Sequence, residues 1–382
     1  MSSTIASLLP AEGSLIPGLP PSPEPVLQPV GKGQRTRRKH FAIAALSSLA
    51  ALLFFAFIAF HGYVAWIIAH PYVAPLTSNP KLAKGLAYSD ISFPSKSGRT
   101  TVHGWYIPAS AARNPGAFQV VSGTGTPAAD RQQSTNTAAV ITEPSARTVI
   151  FSHGYGANRE ETWVPMYELA ALMNRLHYNV IMFDYGYASS VDRSPATGGY
   201  EESQQLLAAI DYARAQGTKE LIVWGFSMGA GTALQAALQT DQIDAMILDS
   251  LFLPTPESLY GNVTQYLELP KFPSLPLIEW MLPFWTGTNF NHIPAEHVMN
   301  NAYSMPIFIM HGTQDAKAPV DTAKQIAHSQ HNPLSQQWIV EGGKHELLFQ
   351  TRPREYIQRA ALFLSQVSTS AESSAASKKE DI

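Results

Sequence analysis

The sequence predicts an α/β fold built on a mostly parallel sheet covered by helices on both faces. Two observations carry this. Short, near-continuous apolar runs recur at 148–152, 179–183, 220–224, 243–248, 306–310 and 336–340, and segments with helical spacing separate them at 160–176, 201–216, 230–238, 320–329 and 345–366. Strands without a polar alternation must be buried on both sides, which is the condition of a parallel sheet between helical layers.

Two further strands, 87–94 and 101–108, flank a turn at Ser97-Gly98 and read as a hairpin opening the domain. The stretch 109–145 is rich in Ala, Pro, Gly, Ser, Thr and Gln without a sustained period. It is expected as a flexible, exposed insertion, which loop-closure entropy penalises only mildly. Between 251 and 305 the alternation stops. Seven prolines and the aromatics Tyr260, Phe272, Trp280, Phe284 and Trp285 mark a cap of short helices, with most aromatics packed and a few lining a substrate entrance. The sheet-and-helix domain thus spans 87–366, and the Ser/Ala-rich, then charged, segment 367–382 is expected to be a disordered tail.

The N-terminal part differs in kind. Prolines 10, 17, 20, 21, 23, 25 and 29 interrupt residues 1–31, and Lys32, Arg35, Arg37, Arg38 and Lys39 follow, so 1–40 is expected to be a disordered tail with a basic end. Residues 41–60 are then apolar except for Ser47 and Ser48, and no charged residue follows until Lys81. Twenty helical residues span about 30 Å, the thickness of a bilayer's hydrocarbon. We therefore expect a transmembrane anchor over 41–68. A cleaved signal peptide would share the apolar run, but the long segment before it exceeds the usual charged leader. The excess of Lys and Arg before the run places the N-terminus in the cytoplasm and the following domain outside it, as a single-pass protein.

Composition narrows the function. Charged residues make up only 14% of 382, the net charge is −3, and there are no cysteines. No basic field favours nucleic acid, and disulfides, thiolate catalysis and cysteine-based metal sites are excluded. The Gly-Thr-Gly-Thr run at 123–126 lies outside any strand-to-helix junction, so it is no nucleotide loop, and His345-Glu346 lacks the second histidine of a zinc-protease helix.

The chemistry-bearing signals follow strands. Gly225-Phe226-Ser227-Met228-Gly229 sits between the run 220–224 and a helix, the context in which a tight, glycine-flanked turn lifts a serine hydroxyl above the sheet. A serine hydroxyl needs a base. His345, in Gly342-Gly343-Lys344-His345, follows the last strand at the sheet edge where open α/β folds bind ligands. The base needs an anion to fix its tautomer. Asp315, in His311-Gly312-Thr313-Gln314-Asp315, follows the strand 306–310, and Asp249, at the end of 243–248, is its competitor. The turn around Asp315 and the Pro319-Val320 after it favour Asp315. His153-Gly154-Tyr155-Gly156 forms a sharp turn whose amides point inward, so the backbone N–H groups of Tyr155 and Met228 are the candidate oxyanion hole. His153 and Asp184 are expected to be structural.

With these blocks placed, 87–366 resembles the α/β-hydrolase superfamily, most of all its serine aminopeptidase-like and prolyl-oligopeptidase-related branch. The resemblance rests on His153-Gly154-Tyr155-Gly156, Phe183-Asp184-Tyr185, Gly225 through Ala230, His311-Gly312 with Asp315, and His345. It implies eight strands, a Ser-Asp-His triad and no cofactor. One departure is Gly186-Tyr187, where many relatives carry Arg-Gly. The expected activity is hydrolysis of a carboxylic ester, of a small acyl ester or lipid-like substrate held near the bilayer. A peptidase or amidase on the same triad and a non-catalytic binding protein are the alternatives.

Overall fold

The computed structural model describes residues 32–109 and 145–380. Most of the N-terminal tail, nearly all of the insertion with its Gly-Thr-Gly-Thr run, and residues 381–382 lie outside the described residues. The chain divides into two units, residues 1–57 and 58–382.

Helix α1 (Lys32–Ala69) begins in the basic cluster that the sequence assigns to a disordered tail. No proline follows until Pro71, so nothing interrupts the backbone ladder once the helix has started. Its stretch Thr36–Ala69 is long and apolar enough to cross a membrane. Within the first unit its large side chains are exposed, among them Phe41, Leu46, Leu52 and Phe55.

The second unit continues with α2 (Pro80–Lys84), whose N-cap Asn79 accepts from the Leu82 amide at 2.9 Å. Then follow β1 (Ser89–Pro94), β2 (Thr101–Ile107), β3 (Arg147–Ser152), α3 (Met166–Arg175), β4 (Asn179–Asp184), α4 (Tyr200–Ala215), β5 (Glu220–Phe226), α5 (Met228–Ala237) and β6 (Ala245–Asp249). Helices α6 (Pro256–Thr264), α7 (Lys271–Thr286) and α8 (Ala295–Asn300) come next. The chain closes with β7 (Ile307–Gly312), α9 (Val320–His328), β8 (Gln336–Val340), α10 (Leu348–Thr351) and α11 (Pro353–Glu380). Helix α3 starts later than its periodicity suggests because Pro165 stands at its N-cap. Helix α11 runs past 367, where the sequence suggests a disordered tail. Val367 is buried in the core and Ser368 donates to Glu220 at 2.9 Å, so its first turns there are held by packing. The alanines beyond have the highest helix propensity.

The strands form one sheet in the order β1-β2-β4-β3-β5-β6-β7-β8. β1–β2 and β2–β4 are antiparallel, and every other pair is parallel. Strands β4 to β7 are buried throughout, and alternate residues feed two apolar layers. Ile150, Val223, Leu248 and Ile309 pack against α4, α5 and α9, while Phe151, Trp224, Ile247 and Phe308 pack against α3 and α11. Register aligns the C-terminal ends. Ser152 pairs with Gly225, Phe226 with Asp249, Asp249 with Met310, and Gly312 with Val340. Whatever follows these residues meets along one rim. A third apolar cluster joins Val64 and Ala65 of α1 to Ile278, Met281 and Leu282 of α7.

Candidate active site

Ser227 occupies the junction of β5 and α5 with φ 50 and ψ −121, a conformation an L-residue adopts only under constraint. The constraint is visible in its neighbours. A Cβ on Gly229 would lie 2.0 Å from the carbonyl oxygen of Ser152, and one on Gly225 would lie 2.5 Å from the Cα of Ala230. Only glycine at both positions lets α5 leave the strand this sharply. The Ser227 amide donates to the Asp249 carbonyl at 2.9 Å, and the Ser227 carbonyl accepts from Ala230 and Phe252.

The loop after β8 returns His345 to the serine. Ser227 Oγ and His345 Nε2 are 2.7 Å apart, and His345 Nδ1 is 2.7 Å from Asp315 Oδ2. A carboxylate only accepts, so Nδ1 carries the proton and Nε2 presents its lone pair to the serine hydroxyl. Asp315 is itself held by the amides of Lys317 and Ala318, which donate to Oδ1 at 2.9 and 2.8 Å. His311 donates Nε2–H to the Ala318 carbonyl at 3.0 Å and stands 3.4 Å from Asp315 Oδ2. Burial lowers the His311 pKa, so its ring stays neutral beside the aspartate.

The turn after β3 lies against the serine: a Cβ on Gly154 would come within 3.3 Å of Ser227 Cβ. Tyr155, Met228, Ser227 and His345 line one cavity of about 590 Å³. Its other walls are predominantly apolar, with Ile67 and Ile68 from the end of α1, Phe252, Val263, Leu282 and Ile293, and Asn262, Lys317 and Glu346 among the polar exceptions. The cap aromatics that the sequence singles out do not line it. Phe272, Trp280 and Phe284 stand exposed, and Tyr260 donates its hydroxyl to the Leu269 carbonyl at 2.7 Å.

A family model described as the α/β hydrolase fold matches residues 147–274. Among solved structures, the Pyrococcus furiosus esterase Pf2001 superposes with a TM-score of 0.56 at 20% identity, covering 78% of this chain and 98% of that one. The α/β hydrolase GrgF from Penicillium sp. sh18 superposes with a TM-score of 0.50 at 16% identity, covering 74% and 99%. This chain has the α/β-hydrolase fold. The uncharacterised Bacillus subtilis protein YqkD is 23% identical over 237 residues, 61% of this chain and 76% of its own. The lysophosphatidylserine lipase ABHD12 of Danio rerio is 23% identical over 248 residues, 63% of this chain and 61% of its own.

Around this α/β-hydrolase rim the remaining polar residues have separate duties. Asp249, the competing acid, is bonded elsewhere, and the carboxyl on His345 Nδ1 is that of Asp315. Asp249 accepts from Tyr356 Oη at 2.7 Å and from Ser250 Oγ at 2.8 Å, and burial pushes its pKa up to about 6. Asp184 is paired with Arg159 at 2.7 Å. His153 accepts the Tyr185 amide at Nε2 across 3.0 Å, and burial lowers its pKa to about 4, so it is a neutral turn residue. Two residues carry no sequence signal, Glu161 and Glu346. Both are buried, and Glu161 Oε2 accepts from the Gly154 amide at 2.9 Å. Burial holds both carboxyls well above the usual range, with the charge of Asp249 adding to this at Glu161 and that of Glu161 adding to it at Glu346. Glu346 directly follows His345, while Glu161, whose charge it feels, comes from the loop before α3. Only the folded chain brings both beside Gly154.

Proposed function

We propose that this protein is a membrane-anchored serine hydrolase that cleaves carboxylic esters through an acyl-enzyme. The observation that carries the reading is the unbroken relay Ser227–His345–Asp315, with 2.7 Å at each link. Ser227 Oγ attacks the acyl carbon while His345 Nε2 takes its proton, and Asp315 steadies the imidazolium. The amides of Tyr155 and Met228 receive the oxyanion of the tetrahedral intermediate. The alcohol leaves with the proton from His345. Water, deprotonated by the same imidazole, then releases the acid and frees the serine.

The cavity supports an ester with an apolar acyl part, since its walls are largely Ile, Leu, Val and Phe. The named relatives point the same way, one being an esterase and one a lipase. The aminopeptidase-like branch suggested by the motifs would need a carboxylate to hold a substrate ammonium. Among the described residues, Glu346 is the carboxyl that lines the cavity, and burial raises its pKa, disfavouring the charged form such a site needs. Ester cleavage is therefore the preferred reading.

The apolar helix supplies the anchor, and the Lys and Arg before it orient the domain outward. Digestion by protease on intact cells tests that orientation; protection until lysis would reverse it. For the chemistry, purified protein should cleave p-nitrophenyl esters and be labelled by a fluorophosphonate probe. Ser227→Ala should abolish both. Unchanged turnover in that variant would overturn the reading.

A further inference from the structure

Helix α7 is apolar on both sides. Its charged residues are Lys271 and Glu279. Ile278, Met281 and Leu282 are buried against the end of α1, as a cap helix requires. The opposite side carries Trp280, Phe284 and Trp285, which are 61%, 70% and 43% exposed, with Pro276 exposed one turn earlier. A helix at a water-facing surface places polar residues there.

The end of α1 repeats the pattern. Val64 and Ala65 face the cap, while Tyr63 and Trp66 are 59% and 40% exposed, with their rings stacked at 5.9 Å. The two rows meet. Tyr63 and Trp66 share one groove with Trp280, Phe284 and Trp285, and the His70 ring bridges Trp66 at 5.2 Å and Trp285 at 6.4 Å. Five large rings thus form one continuous exposed patch, more than a surface facing only water carries.

The chain itself indicates what covers the patch. The apolar run that would fill the hydrocarbon ends at Phe60. At 1.5 Å per residue, Tyr63 and Trp66 lie roughly 5–9 Å past it along the helix. The polar zone of a bilayer is roughly 5–8 Å thick on each side. Tyr and Trp concentrate there because an apolar ring and a polar edge are satisfied together. Ring contacts bring the α7 aromatics alongside Tyr63 and Trp66. We propose that the aromatic face of α7, with Tyr63 and Trp66, is seated in the headgroup zone of the bilayer, so that the cap touches lipid as well as the anchor. This rests on the anchor assignment above and not on the hydrolase chemistry.

The test uses the full chain in phospholipid nanodiscs whose lipids are brominated either near the headgroup or at the far end of the acyl chain. Near-headgroup bromine should quench tryptophan fluorescence more than deep bromine. Trp280→Phe with Trp285→Phe should lower that quenching about threefold, because two of the three tryptophans of the patch are gone. Equal quenching in parent and variant overturns the proposal. So does cross-linking of α7 to α7 between two copies together with the absence of near-headgroup quenching, since a second copy would then be the occupant. As an independent measure, Trp280→Glu with Phe284→Glu should lower the rate on a long-chain ester in vesicles at least tenfold. The same change should leave a short soluble ester within about twofold. Equal losses on both substrates overturn the proposal. A parent that cleaves neither ester refutes the hydrolase reading, and the quenching result still decides this one.

Discussion

The hydroxyl of Tyr187 donates to the carbonyl of Gly154 across 2.8 Å, bracing the turn that presents the Tyr155 amide. Both residues are buried. Tyr187→Phe keeps the ring and removes the donor. The Gly154 carbonyl still accepts from His153 Nδ1 at 2.9 Å, so no buried acceptor is orphaned. The stability cost should be about 1 kcal/mol. If the bond positions the oxyanion turn, kcat should fall about fivefold with KM unchanged, which is the same energy expressed in the transition state. Thermal unfolding and steady-state kinetics on one preparation check both. A stability loss with kcat intact would make the brace structural only.

Asp249 ends β6 and Asp315 follows the neighbouring β7, and replacing each by asparagine separates their roles. In Asp315→Asn the side-chain oxygen should keep the amides of Lys317 and Ala318, turning its NH2 toward His345. His345 Nδ1 must then accept, its proton moves to Nε2, and the serine loses its base. Activity should fall about 10⁴-fold. Asp249→Asn faces Tyr356 and Ser250, so kcat should stay within about threefold. A larger loss from the second substitution would move the acid to Asp249.

The Asp249 substitution carries a second expectation, in stability. Burial raises the folded-state pKa from 3.8 to about 6. A carboxyl whose folded pKa is raised takes up a proton on folding. Its contribution is complete below the unfolded value and is lost as pH rises through about 6. The difference of about two units corresponds to roughly 3 kcal/mol. Relative to the parent, Asp249→Asn should therefore be more stable by about that amount at neutral pH than near pH 4. Urea unfolding at both values measures it; parallel pH curves would mean that folding does not raise the Asp249 pKa.

What the sequence made legible were features whose cause is local. Buried parallel strands show as apolar runs, and Ser227 and His345 are marked by the turns that follow those runs. The unmarked features depend on residues distant in sequence. Glu161 and Glu346 look like surface glutamates until the loops that bear them are packed together. The C-terminal part of α11 looks like a tail because Ser and Ala carry no apolar period. Tyr178 and Glu220, from elsewhere in the sheet, give Ser368 its hydrogen-bond partners. Ile67 and Ile68 are as apolar as the residues of the run 41–60, so the sequence does not indicate that they line a cavity. Isoleucines offer no polar atom by which the sequence could tell a lipid-facing position from a cavity-facing one.

The geometry around Gly229 gives the most severe substitution. An added Cβ would meet the Ser152 oxygen at 2.0 Å and the His153 oxygen at 2.5 Å, both of them backbone atoms that no rotamer can move. Gly229→Ala must therefore push α5 away from the turn after β3. Those two elements carry the Met228 and Tyr155 amides, whose separation sets the proposed oxyanion hole. Overpacking of this kind costs about 1–3 kcal/mol and more where backbone must shift. Misplacing one oxyanion donor should lower kcat about a hundredfold or further. Gly261→Ala, in α6, is the matched control. A Cβ there meets nothing within 4 Å, and the helix interior should gain about 0.5–1 kcal/mol. Unfolding and kcat measured for the pair decide the point. If Gly229→Ala kept full activity, the strand-to-helix turn would not be what aligns the two amides.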